Sequence, residues 1–225
     1  MTFTEYQKAC LRTASMGLGP AVEMGVRALG LCGELEELKR ELQSGLGVVV
    51  KEGGDVLWYA AALASMFGLD GEALQLGALD DIDAPLEDLQ GSSREQVTYA
   101  QDAACRLAEL VKKQIGHGKP ADIGRVKVYL RRVLSSLAAV MPAQLSEVAR
   151  VNVEKLNARY PKGFDMAIAS AKPDSGDATS APAICGAVSV DGDGRQVEEA
   201  EALAEVETVG HYPAGGVGEW KPGPV

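Results

Sequence analysis

The sequence predicts an all-α bundle for residues 1–166, on three observations. Apolar residues recur near helical spacing through this region, as at Val22, Val26, Leu29, Leu38 and Leu42. Alternating β-branched runs, the mark of half-buried strands, are scarce. Helix-stopping residues punctuate the chain at Gly68, at Gly116-His117-Gly118-Lys119-Pro120, and at Pro142 and Pro161.

Taken in order, Thr4-Glu5-Tyr6-Gln7 opens a first helix with a capping-type threonine, and a second runs from about Ala21 to Leu42. The third starts near Glu52 and ends at Phe67 before Gly68. Its most hydrophobic stretch, Val56 to Leu69, falls short of the ~20 residues needed to span a bilayer, so it reads as a buried helix and a membrane partner is not expected. A fourth helix covers about Ser93 to Ile115, a fifth Ile123 to Val140, and a sixth Leu145 to Ala158.

After Phe164 the composition shifts to Ala, Ser, Gly, Pro, Asp and Glu. Such a segment buries too little apolar surface to order itself, so 167–225 is expected to be a disordered acidic tail with a frayed helix around Val197 to Val206. The net charge of -10 belongs mostly to it: ten acids and three bases lie from Ala167 onward, leaving about -3 for the rest. No nucleic-acid polymer is expected as a partner. The start Met-Thr-Phe-Thr-Glu-Tyr carries no basic segment with an apolar run, and Cys10, Cys32, Cys105 and Cys185 show no zinc spacing. A cytoplasmic protein with reduced thiols is the expectation.

The acids of the second and third helices carry the chemistry. Positions three apart share a helical face with β-carbons roughly 5–6 Å apart, so Glu34 with Glu37 and Glu52 with Asp55 each form a two-carboxylate claw. Two facing claws suit a hard divalent cation such as Mg²⁺, with Mn²⁺ as a substitute, and such a cation points to phosphate chemistry. The blander reading makes Glu34, Glu36 and Glu37 a solvated face paired with Lys39 and Arg40, and Glu52 and Asp55 first-turn acids that complement the helix dipole.

An internal repeat underlies the pattern. Leu57-Trp58-Tyr59-Ala60-Ala61-Ala62-Leu63 aligns with Leu134-Ser135-Ser136-Leu137-Ala138-Ala139-Val140, giving two related units at about 3–80 and 93–164. In this register the four acids fall opposite Ala103, Arg106, Tyr129 and Arg132, so the second unit is degenerate as a metal site.

Gly33-Glu34-x-x-Glu37, a gap, then Glu52-x-x-Asp55-Val56-Leu57-Trp58-Tyr59 resembles the metal motif of the MazG-like all-α nucleoside triphosphate pyrophosphohydrolases, a superfamily that includes dimeric dUTPases. Leu110-Val111-Lys112-Lys113-x-x-x-His117-Gly118 resembles a loop of its small members. Asn152-x-x-Lys155-Leu156-x-x-Arg159-Tyr160-Pro161-x-Gly163-Phe164 resembles their C-terminal signature.

The resemblance implies Mg²⁺-dependent hydrolysis of a nucleoside triphosphate to the monophosphate and pyrophosphate, clearing nucleotide pools. Glu34, Glu37, Glu52 and Asp55 would be metal ligands, and Lys112, Lys113, Asn152, Lys155, Arg159 and Tyr160 substrate contacts. The general base is Glu34 or Glu36, because the family's leading glutamate is Gly33 here. Two glycines in Glu52-Gly53-Gly54-Asp55 are expected to loosen the second claw. One composite site per chain and a homodimer follow from the doubled unit. Two alternatives stand beside this: a narrow dUTPase- or dCTPase-type enzyme, and a helical interaction module whose site has decayed.

Overall fold

The computed structural model describes residues 1–14, 17–44, 49–82 and 92–170. They form seven helices: α1 (Phe3–Leu11), α2 (Pro20–Ser44), α3 (Val49–Met66), α4 (Ser93–His117), α5 (Ile123–Val140), α6 (Leu145–Arg159) and α7 (Met166–Ser170), with a 3₁₀ turn at Leu79–Asp81. No strand is present among the described residues, which is the all-α class the periodicity predicts. No described helix is long and apolar enough to cross a membrane.

Capping chemistry sets the helix starts. The first helix is capped by Thr2, not Thr4: the Thr2 hydroxyl accepts from the Glu5 amide at 3.1 Å, and the Glu5 carboxylate accepts from the Thr2 amide at 2.8 Å. Ser92 and Glu95 repeat this reciprocal box at α4, and Asp122 caps α5 through the Arg125 amide at 3.2 Å. Each such cap contributes about 1 kcal/mol. At its far end α4 stops at Gly118, whose φ of 63° suits a residue without a β-carbon.

Helices α2 and α3 form one antiparallel hairpin of 25 and 18 residues, and α4 and α5 form a second with the same two lengths. The hairpins meet along α2 and α4. Gln114 reaches Met24 while Gln101 reaches Glu36, so these two helices also run antiparallel. The spine is α3, which packs against α1, α2, α5 and α6. Its Val56, Leu57, Ala60, Ala61, Leu63 and Ala64 are fully buried, and small residues let four neighbours close on one helix.

Two expectations are corrected. Helix α3 begins at Val49, so Gly53 and Gly54 lie within its second turn and are buried. They bring neighbours closer: a β-carbon at 53 would meet the Met141 sulfur at 2.3 Å, and one at 54 the Asn152 β-carbon at 2.9 Å. The second correction concerns residues 166–170, which are helical because Asp165 accepts from the amides of Ala167 and Ile168 at 2.8 and 3.3 Å. The remainder of the expected tail, including residues 197–206, lies outside the described residues.

The close approach at Gly54 gives a stability test. Gly54→Ala should lower the unfolding free energy by about 1–3 kcal/mol through overpacking against Asn152. Gly33→Ala, on a mid-helix position with open space around it, should raise it by about 0.5–1 kcal/mol. Urea denaturation of both variants checks the contrast, and equal effects would show that α3 and α6 do not pack this closely.

Candidate metal centre

The phase of α2 is set by Leu31, Leu35 and Leu38, all at most 1% exposed. Glu34 and Glu37 flank that buried stripe on the side of α3, where Glu52 sits 6% exposed. Glu34, Glu37 and Glu52 each place one carboxylate oxygen within 4.8 Å of the others. Glu36 falls elsewhere: its carboxylate accepts from Gln101 of α4 at 2.7 Å and lies 3.9 Å from Lys39. As the alternative base it is therefore corrected, because the same packing that turns Glu34 toward α3 turns Glu36 toward α4.

Asp55 stands one turn beyond Glu52 yet does not complete that group of three. Its Oδ1 accepts from Lys155 Nζ at 2.5 Å and from Asn152 Nδ2 at 3.2 Å, both on α6. The expected four-acid set is thus three converging carboxylates and a fourth already paired.

The crowding shifts the titration of the site. Burial, then the negative charges of Asp55, Glu37 and Glu52, push the Glu34 carboxyl up to about 7, against a smaller opposite pull from Lys155. Burial also lifts the Tyr59 phenol, with Glu34 as its main charged neighbour. Lys51 lies 3.2 Å from Glu52. Burial opposes its charge, but Glu52, Asp55 and Glu37 outweigh this and raise the ammonium above its ordinary value.

Oxygen-only donors from two rigid helices, with excess negative charge between them, fit a hard divalent cation such as Mg²⁺ or Mn²⁺. Soft-metal chemistry does not suit the site. Cys10 is buried on α1 and its thiol is pushed up to about 12 by that burial, while Cys32 is held at about 11, chiefly by burial.

The remaining expected substrate residues separate into two groups. Lys155 reaches the acids. Asn152 is 1% exposed and bonded within the protein, so its expected substrate contact is corrected. Tyr160 is 5% exposed, and its carbonyl accepts from Arg12, just past the end of α1, at 2.7 Å. Arg159 stacks on the Tyr160 ring at 5.2 Å. The Tyr160–Phe164 ending therefore ties α6 to α1. Lys112 and Lys113 pair with Glu109 on the outer side of α4 at 2.5 and 3.3 Å. The antiparallel register sets them beside the start of α2, roughly 12 Å along the axis from Glu34. Neither pairs with the cluster.

Two residues near the acids escaped the sequence reading. Lys51 directly precedes the third-helix motif, but nothing in its spacing separates it from an ordinary surface position, while Tyr59, quoted within that motif, gave no sign that it would lie beside Glu34. Arg27, two turns before Glu34, is 1% exposed with its guanidinium 4.6 Å from the Trp58 ring and no hydrogen bond to either terminal nitrogen. An arginine within the apolar stripe of Met24, Ala28 and Leu31 was its available signal.

No protein-family model, no curated protein and no solved structure matches this chain. The site stands on its geometry.

Glu34 binds a proton more tightly in the folded chain than in the unfolded one. Its contribution to stability is fully present below about pH 4.5 and is lost as pH rises through about 7. Denaturation in chelator should therefore show stability falling across this window, and Glu34→Gln should flatten that fall. Mn²⁺ should restore stability above pH 7, where the carboxylates are free to bind it. A flat wild-type profile would show that the acids do not crowd one another.

Proposed function

We propose that the chain is a Mg²⁺-dependent nucleoside triphosphate pyrophosphohydrolase that releases a nucleoside monophosphate and pyrophosphate. The observation that carries the reading is the convergence of Glu34, Glu37 and Glu52 from two helices, with Lys155 reaching in from α6 beside Asp55. The motif resemblance supports it from the sequence side.

In this reading Glu34, Glu37, Glu52 and Asp55 hold the metal. When bound, Mg²⁺ neutralises phosphate oxygens and makes water a better nucleophile. Glu34 is the acid left to accept the proton of the attacking water, since Glu36 faces α4. Lys155, released from Asp55, carries charge on the phosphates, and Lys51, paired with Glu52, shares it. Attack at the α-phosphorus breaks its bond to the bridging oxygen and leaves pyrophosphate as the departing group. The homodimer belongs to the same proposal, and light scattering should give two chains per particle.

A panel of ribo- and deoxynucleoside triphosphates with Mg²⁺, scored by product, tests the reading and separates a broad enzyme from a dUTPase- or dCTPase-type one. Glu37→Gln and Asp55→Asn should each lower kcat by more than about 100-fold with helicity unchanged. Turnover that survives in chelator or in both variants would defeat the assignment. Complete inactivity on the panel, with no Mg²⁺-dependent shift in melting temperature, would favour the non-catalytic module.

A further inference from the structure

Behind Asp55 lies a buried polar relay that spans three helices. Tyr6 on α1 is fully buried, and its hydroxyl donates to Asn152 Oδ1 on α6 at 2.9 Å, with the Gly54 carbonyl 3.4 Å away. Asn152 Nδ2 then donates to Asp55 Oδ1 on α3 at 3.2 Å. The direction is fixed chemically. A carboxylate only accepts, so the amide must turn its nitrogen to Asp55, and its oxygen then needs a donor, which the tyrosine hydroxyl supplies. Reversing the amide would set oxygen against oxygen at Asp55.

The packing admits little else. A β-carbon at position 54 would lie 2.9–3.3 Å from three Asn152 side-chain atoms, so the second glycine of Glu52-Gly53-Gly54-Asp55 is what lets the amide reach the acid. Lys155, one turn along α6, occupies the same oxygen of Asp55. The two α6 donors therefore engage one oxygen and leave the carboxylate plane defined.

We propose that Asn152, latched by the Tyr6 hydroxyl, is a positioning residue that orients Asp55 toward the acidic cluster for cation binding. This rests on the metal-centre reading above, and it gives Asn152 a role that does not involve substrate. It also makes Gly54 a working part of the site. Lys155 is then the mobile partner, free to leave Asp55 because Asn152 keeps the carboxylate in place.

The test is Mn²⁺ affinity without nucleotide, measured by calorimetry or by the spin-resonance signal of free Mn²⁺. Tyr6→Phe should weaken binding about 3- to 10-fold and Asn152→Ala about 10- to 100-fold. The double variant should bind no more weakly than Asn152→Ala, because Tyr6 acts through the amide. Glu37→Gln serves as the ligand control. Wild-type affinity in Tyr6→Phe and Asn152→Ala, with Glu37→Gln deficient, would overturn the relay and leave the metal centre standing. A raised KM for nucleotide at unchanged Mn²⁺ affinity would make Asn152 a substrate contact and also overturn it. Failure of the wild-type chain to bind Mn²⁺ would overturn both readings. Tyr6→Phe removes a single oxygen, so it keeps the test decisive if Asn152→Ala does not fold.

Discussion

Repulsion among carboxylates held between α2 and α3 is the constraint on which the site depends. Two unit charges about 5 Å apart repel by roughly 3 kcal/mol at an effective dielectric constant of 20. Three such groups converge within 4.8 Å here, with Asp55 close by. The bare protein relieves the load by holding a proton on Glu34 up to about pH 7 and by setting Lys51 and Lys155 against Glu52 and Asp55. Each of these is provisional, since a divalent cation would replace all three at once. The scaffold must therefore keep four acids together without their attracting one another.

That task falls to the apolar packing of α3. Its alanines and glycines remove side-chain bulk where neighbours approach. Elsewhere the same logic applies to α2, where a β-carbon at Gly30 would lie 2.2 Å from the Tyr59 ring. Close approach lets Tyr59 lie edge-on to Trp58 at 4.8 Å and puts its phenol beside Glu34. Burial of the site follows from this geometry, and burial is the larger contributor to the Glu34 shift. Small residues thus raise the electrostatic load and also bring in Asn152, which constrains one of its members.

Much of the fold was legible because helix periodicity and stop residues are local signals. Gly118, Pro142 and Pro161 end helices where their backbone chemistry requires. The start of α3 was placed three residues late, since Val49 and Val50 are β-branched and the glycine pair reads as a helix start. The Glu34–Glu37 pairing was readable from spacing, but the phase of α2 was misread: Val22 and Leu29, taken for its apolar stripe, are 55% and 70% exposed, and the buried positions 31, 35 and 38 are what turn Glu36 away. What spacing does not encode is that Asp55 meets Lys155, a residue 100 positions later. Lys112 and Lys113 show the converse error: the segment likened to a loop is the last turns of α4, and the antiparallel register of α2 and α4 carries it away from the acids.

The second hairpin braces the helix that carries Glu34 and Glu37. Arg106 and Tyr129 lie against each other between α4 and α5, at positions the alignment sets opposite Glu37 and Glu52. That contact is attractive where the first hairpin sets acid against acid, and within α4 Arg106 also pairs with Asp102 at 2.7 Å. Meanwhile Gln101 of α4 holds Glu36 and Lys39 of α2 from behind. These contacts from α4 fix α2, and a fixed α2 is what keeps Glu34 and Glu37 facing Glu52.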